Sequence, residues 1–102
     1  MSLDFYLEKT EEVFESNMTH NVTDMWRKAG CYDALYMSDG IEASNVIPFL
    51  EKAIERMKLE PDEYKKLNPK NGWGDYETAL KFLKEVLEGC YANEHAIIRI
   101  SK

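Results

Sequence analysis

The chain has little of what catalytic and metal centres are usually built from. Its 102 residues hold only two histidines, two cysteines and three prolines. His20 and His95 stand apart, with no cysteine or carboxylate at ligand spacing, so no metal site is expected. Cys31 and Cys90 form no CxxC pair, which argues against a zinc ribbon or a redox motif. Asp39-Gly40 and Gly72-Trp73-Gly74 lack the context of a P-loop or a dinucleotide fingerprint, so no cofactor is expected. No nucleophile elbow is present.

Other absences bear on location and partners. No run approaches the roughly 18 apolar residues of a membrane span. Met1 to Glu8 has neither the basic start nor the apolar stretch of a secretion signal. These features predict a cytoplasmic protein with two reduced thiols and no membrane partner. A basic excess is also missing: 13 Lys and Arg face 19 Asp and Glu, a net charge of −6, which argues against non-specific nucleic-acid binding, so no nucleic-acid partner is expected. Lysines accompany the acids along the helical segments, so an acidic mimic of nucleic acid is disfavoured as well. With 44% apolar residues and 12% aromatics, the composition is that of a folded chain, and its length suits one domain over residues 1–102.

Periodicity supplies the elements. Leu3, Phe5 and Leu7 alternate with Asp4, Tyr6 and Glu8, the period-2 pattern of a half-buried strand. Phe14, Ser16 and Met18 alternate with Val13, Glu15 and Asn17, and Lys9 to Glu11 would make the turn of a hairpin. A rival helix over Glu8 to Met18 has good formers in Glu, Lys and Met, but Phe5, Tyr6, Thr10 and Val13 favour strands. From Asn21 the period changes to i, i+3, i+4 and i+7 in Val22, Met25, Trp26 and Ala29, with Asn21 or Thr23 as N-cap and Gly30 as the stop. Cys31 to Met37 reads as a short helical turn. A longer helix runs from Ala43 or Ser44 to Leu59, with Pro48 in its first turn and Val46, Ile47, Leu50, Ile54 and Met57 as its buried stripe. Asp62 to Leu67 adds another turn. The last helix is capped by Asp75 and buries Tyr76, Ala79, Leu80, Leu83, Leu87 and Cys90, and His95 to Ile100 forms a terminal strand. The expected architecture is α+β: a small antiparallel sheet of the N-terminal hairpin and the C-terminal strand, with three main helices packed on it.

Two segments are unusual. The first, Asn17-Met18-Thr19-His20-Asn21, falls where a strand gives way to a helix, a junction that gathers free backbone N–H groups. His20 there is the candidate general base, with Asn17 and Asn21 placed to orient a ligand. The simpler alternative has Asn21 capping the helix and His20 bonding a backbone carbonyl. The second segment is Asn68-Pro69-Lys70-Asn71-Gly72-Trp73-Gly74-Asp75-Tyr76-Glu77, in which two glycines flank a tryptophan. Trp73, Asp75, Tyr76 and Glu77 could cradle a polar or cationic ligand, and Asn71 joins Trp73, Asp75 and Tyr76 as a candidate ligand-binding residue. Asp75 and Glu77 diverge on a helix and cannot serve as a paired acid and base. Trp26, Tyr32 and Tyr36 fit a core cluster as well as a pocket wall.

Together with Ala29-Gly30-Cys31-Tyr32-Asp33-Ala34-Leu35-Tyr36, these segments resemble a family of small bacterial and phage-borne proteins. The motifs that carry the resemblance are N-x-T-H-N and N-P-x-N-G-W-G-D-Y-E, and it covers nearly the whole chain. It implies that the two segments belong together and brings no reaction with it. The favoured expectation is a binding or interaction domain with a polar-aromatic pocket made by Asn17–Asn21 and Asn68–Glu77, taking a small polar ligand or a partner protein. A small enzyme with His20 as base and Asp75 or Tyr76 as orienting partner is the alternative. A third is a pocketless module that binds a partner protein through an exposed apolar or acidic surface, with a homodimer through a free sheet edge as one route.

Overall fold

Leu3, Phe5 and Leu7 are fully buried, while Asp4, Tyr6 and Glu8 between them reach the surface. That alternation makes the segment a strand with one dry face. The computed structural model describes residues 2–102, and β1 spans Ser2–Glu8. β2, Glu12–Thr19, returns antiparallel to it and sets Met18, Ser16 and Phe14 opposite Leu3, Phe5 and Leu7. Cross-strand packing of those pairs outweighs the helix propensity of Glu, Lys and Met in this segment. β3, Ile97–Ser101, lies on the other side of β1, with Ile100 opposite Phe5 and Ile98 opposite Leu7. The sheet is antiparallel, in the order β2-β1-β3.

Helices cover the dry face. Thr19, still extended, starts a short 3-10 turn over His20–Val22, and α1 follows at Thr23–Ala29. Asn21 is therefore not the helix cap. It already lies inside the turn, where its own N–H donates to Thr19 Oγ1 at 3.3 Å, whereas an N-cap needs an extended backbone. Gly30 ends α1 with φ +85°, and Arg56 Nη1 donates to the last α1 carbonyl, Ala29 O, at 2.9 Å.

α2 is Tyr32–Tyr36, and a 3-10 turn at Ala43–Asn45 leads into α3, Ile47–Leu59, with Pro48 in its first turn. α4 is Pro61–Lys65 and α5 is Tyr76–Ala92. α5 lies against both α3 and β2 and so buries a broad arc. Phe82 and Val86 are deeper than Leu80 and Leu87, which the simple period had placed on the buried stripe. Gly89 does not loosen the helix. A Cβ there would stand 2.7 Å from the Phe14 ring, so the missing side chain lets α5 approach the sheet.

The core is one cluster centred on Trp26, Phe5, Leu35, Leu50 and Met57. Trp26 packs on Phe82 at 5.9 Å between ring centroids, and its indole Nε1 is buried without an acceptor among the described residues. The outer edge of β3 is covered by the chain before α3: Gly40 N donates to Ile98 O, Ile98 N to Ile41 O, and Ala43 N to Ala96 O. β2 pairs only with β1 among the described residues. Among those residues, too, no helix is long and apolar enough to cross a membrane.

Candidate functional site

The 68–77 loop is held at several points before it presents anything. Asn68 Oδ1 accepts from Tyr76 N at 2.9 Å, which ties the start of the loop to the start of α5. Asn71 Oδ1 accepts from Trp73 N at 3.0 Å and closes a small side-chain turn. Asp75 then caps α5 as expected: Thr78 N donates to Asp75 Oδ1 at 2.8 Å, and Asp75 N donates to Thr78 Oγ1 at 3.1 Å. The Thr78 N–H, and then its hydroxyl, hold the Asp75 carboxyl below the usual carboxylate range. Gly72 and Gly74 both take positive φ, and Gly74 meets the 17–21 junction directly, against Thr19 and Val22.

Between those two glycines Trp73 is 70% exposed. A large ring is thus raised into solvent on a backbone fixed at both ends. Tyr76 has the opposite fate: it is buried, and its hydroxyl donates to Met57 O at 2.7 Å, pinning α5 to α3.

His20, in the 3-10 turn before α1, belongs to an aromatic ladder with Tyr36 and Tyr32 of α2. Its Nδ1 lies 2.7 Å from Tyr36 Oη. Tyr36 stacks on Tyr32 with centroids 4.6 Å apart and planes 10° apart, and the Arg27 guanidinium sits 4.4 Å from the Tyr32 centroid. Lys102 Nζ donates to Tyr36 O at 3.0 Å. Burial, reinforced by Tyr32 and opposed by Arg27, pushes the Tyr36 phenol up to about 12. The phenol therefore stays protonated at neutral pH, and it pairs with Nδ1 either as donor or as acceptor from Nδ1–H, according to the ring tautomer. Either way Nδ1 is committed to Tyr36. The simpler reading of His20, a bond to a backbone carbonyl, is replaced by this side-chain pair.

The structure thus brings the two motif segments together, through Gly74 against Met18, Thr19 and Val22. It does not pair His20 with Asp75 or Tyr76, whose polar atoms are engaged by Thr78 and Met57. Asn21 and Asn71 are exposed beside the joined segments. Asn17 sits opposite Asp4, on the sheet face turned away from the helices. Trp26 is core, Tyr36 is buried and Tyr32 is half-buried. Among the described residues, no group of three or more His, Cys, Asp and Glu could hold a metal ion.

Sequence reasoning missed a cavity of about 430 Å3 between α2 and the start of α3, walled by Ala34, Met37, Ile41, Val46 and Phe49. One signal pointed there: Phe49 is a large apolar residue off the buried stripe of its helix. No protein-family model, curated protein or solved structure matches the chain.

Proposed function

We propose that the protein is a small binding module whose recognition surface is the face where the 68–77 loop meets the 17–21 junction. The observation that carries this reading is the exposure of Trp73 on an anchored loop. Leaving an indole in water forgoes the burial free energy of a large aromatic, about 1.5–3 kcal/mol. A ring presented on a pre-ordered backbone loses little further entropy when a partner covers it, which is how aromatic anchors dominate interfaces. Asn71 lies in the same loop, and the junction that Gly74 touches carries Thr19, His20 and Asn21, polar groups suited to a short peptide segment or a small polar ligand. Two free, buried cysteines fit a reducing cytoplasm. A bacterial or phage-borne setting rests on the motif resemblance alone.

The test is selection of a random peptide library against the folded protein and against Trp73→Ala. Enrichment on the parent that disappears with Trp73→Ala, at an unchanged melting temperature, supports the reading. Binders that are retained by the variant, or an absence of enrichment on the parent, would remove the indole from recognition. If Trp73→Ala lowers the melting temperature by more than a few degrees, the ring is structural and the proposal fails.

A further inference from the structure

We propose a second, separate site: the cavity between α2 and α3 takes a small molecule with an apolar body and a cationic, hydrogen-bond-donating head. The site shares no lining residue with the Trp73 face and does not depend on it. Met37 is 63% exposed, Phe49 57% and Ile41 39%, and all three surround this one concavity. Scattered single apolar residues are normal on a surface, but three large ones around a hollow form a patch that an occupant would dry. The cavity, about 430 Å3, falls within the range of roughly 300–1,000 Å3 usual for small-molecule sites.

The polar groups in the lining set the chemistry of the head. Asp33 is exposed at the cavity and has no ion-pair partner among the described residues. Ser38 is buried and uses its proton on Ala34 O at 2.6 Å, so toward the cavity it can only accept. The Asn45 amide adds a further polar group at the lining. Among the described residues no cation lines the cavity. Arg56, beside the lining residue Gly30, donates to Ala29 O. A carboxylate and a spent hydroxyl next to an apolar wall call for an ammonium or guanidinium attached to a hydrocarbon or aromatic body.

Three near-isosteric probes separate the possibilities: phenethylamine, 2-phenylethanol and phenylacetate, each titrated into the 15N-labelled protein. Amide shifts should concentrate in residues 30–49. The amine should bind about threefold to fivefold more tightly than the alcohol, as one half-screened ion pair yields, and the acid should bind weakest. Asp33→Asn should erase the preference for amine over alcohol while leaving the alcohol's affinity unchanged, and Phe49→Ala should weaken all three. Equal binding of acid and amine, a preference that survives Asp33→Asn, or shifts scattered outside this region would overturn the proposal. So would no binding of any probe. Sedimentation velocity covers the other occupant: a concentration-dependent dimer abolished by Phe49→Asp would show that a second copy fills the hollow instead.

Discussion

Gly74 lies so close to Thr19 that a methyl group placed on it would stand 2.7 Å from Thr19 Cγ2. The same methyl would come within 3.0 Å of Val22 Cγ1 and 3.3 Å of Met18 Cε. The two unusual segments of the chain are therefore joined by bare backbone resting on three side chains. This explains why glycine stands on the α5 side of Trp73, and why the indole has a fixed platform.

Gly72 offers a matched control for that contact. Both glycines have positive φ, +77° and +92°, but nothing lies within 4 Å of a Cβ built on Gly72. Gly72→Ala should lose only the left-handed strain, roughly 1–2 kcal/mol. Gly74→Ala adds overpacking of about 1–3 kcal/mol against Thr19 and Val22, for a total of roughly 2–5 kcal/mol. Urea denaturation of the two variants measures the difference. Equal losses would mean that the loop does not depend on close docking to the junction.

The elements that could be read from the chain are those whose signal is local. Leu3, Phe5 and Leu7 announce a strand by alternation alone, and Asp75 announces a helix start because its partner Thr78 is three residues away. That Thr19, and neither Asn21 nor Thr23, supplies the capping side chain was not legible. Both types cap, and the outcome turns on which residue keeps an extended backbone as β2 ends. Phe82 and Val86 were missed because a helix wedged between α3 and β2 buries more than one stripe. The partner of His20 was hidden for a further reason: Tyr36 lies on a different element, and only the folding of α2 against the junction brings the phenol within 2.7 Å. The 17–21 and 68–77 segments stood out by composition. That they touch through Gly74 follows from how α5 runs along β2, which no local pattern encodes.

Phe14 and Gly89 give a second packing test. Alanine at Gly89 gains about 1 kcal/mol of helix propensity, yet its methyl would stand 2.7–3.0 Å from three atoms of the Phe14 ring. Those atoms include Cγ, so the whole ring must move and not only its tip. Gly89→Ala should be net destabilising, by up to about 2 kcal/mol. In a Phe14→Leu background the same change should be neutral or stabilising. A double-mutant cycle by thermal or urea unfolding reads this coupling, and additivity would show that ring and helix do not press on each other.

Removing residues 97–102 tests the role of β3. Its outer edge is already paired with residues 40–43, so it is not an open docking edge. Ile98 is fully buried opposite Leu7, and without it the β1 face opens to water. The truncated chain should therefore lose its cooperative unfolding transition, as seen by circular dichroism. A stable truncated protein with native-like melting would show that the two-stranded hairpin and the helices suffice.

Alkaline pH probes the buried acids together. Burial pushes Cys31 and Cys90 each from 9.0 up to about 12, and Tyr36 from 10.0 up to about 12. Below pH 9 both the folded and the unfolded chain keep these protons, and stability is indifferent to them. Between pH 9 and 12 the unfolded chain releases protons that the folded one still holds, so stability falls as pH rises. Each fully engaged group contributes a slope of about 1.4 kcal/mol per pH unit. The urea midpoint should drop steadily through this window, and less steeply in a Cys31→Ala, Cys90→Ala double variant compared with its own stability near neutrality. At about pH 8 the native thiols should react with a disulfide reagent only as fast as the protein opens, because a protonated, enclosed sulfur is no nucleophile. Rapid labelling of either cysteine in the folded protein, or a midpoint flat to pH 11, would show that these sulfurs are not sealed in the core.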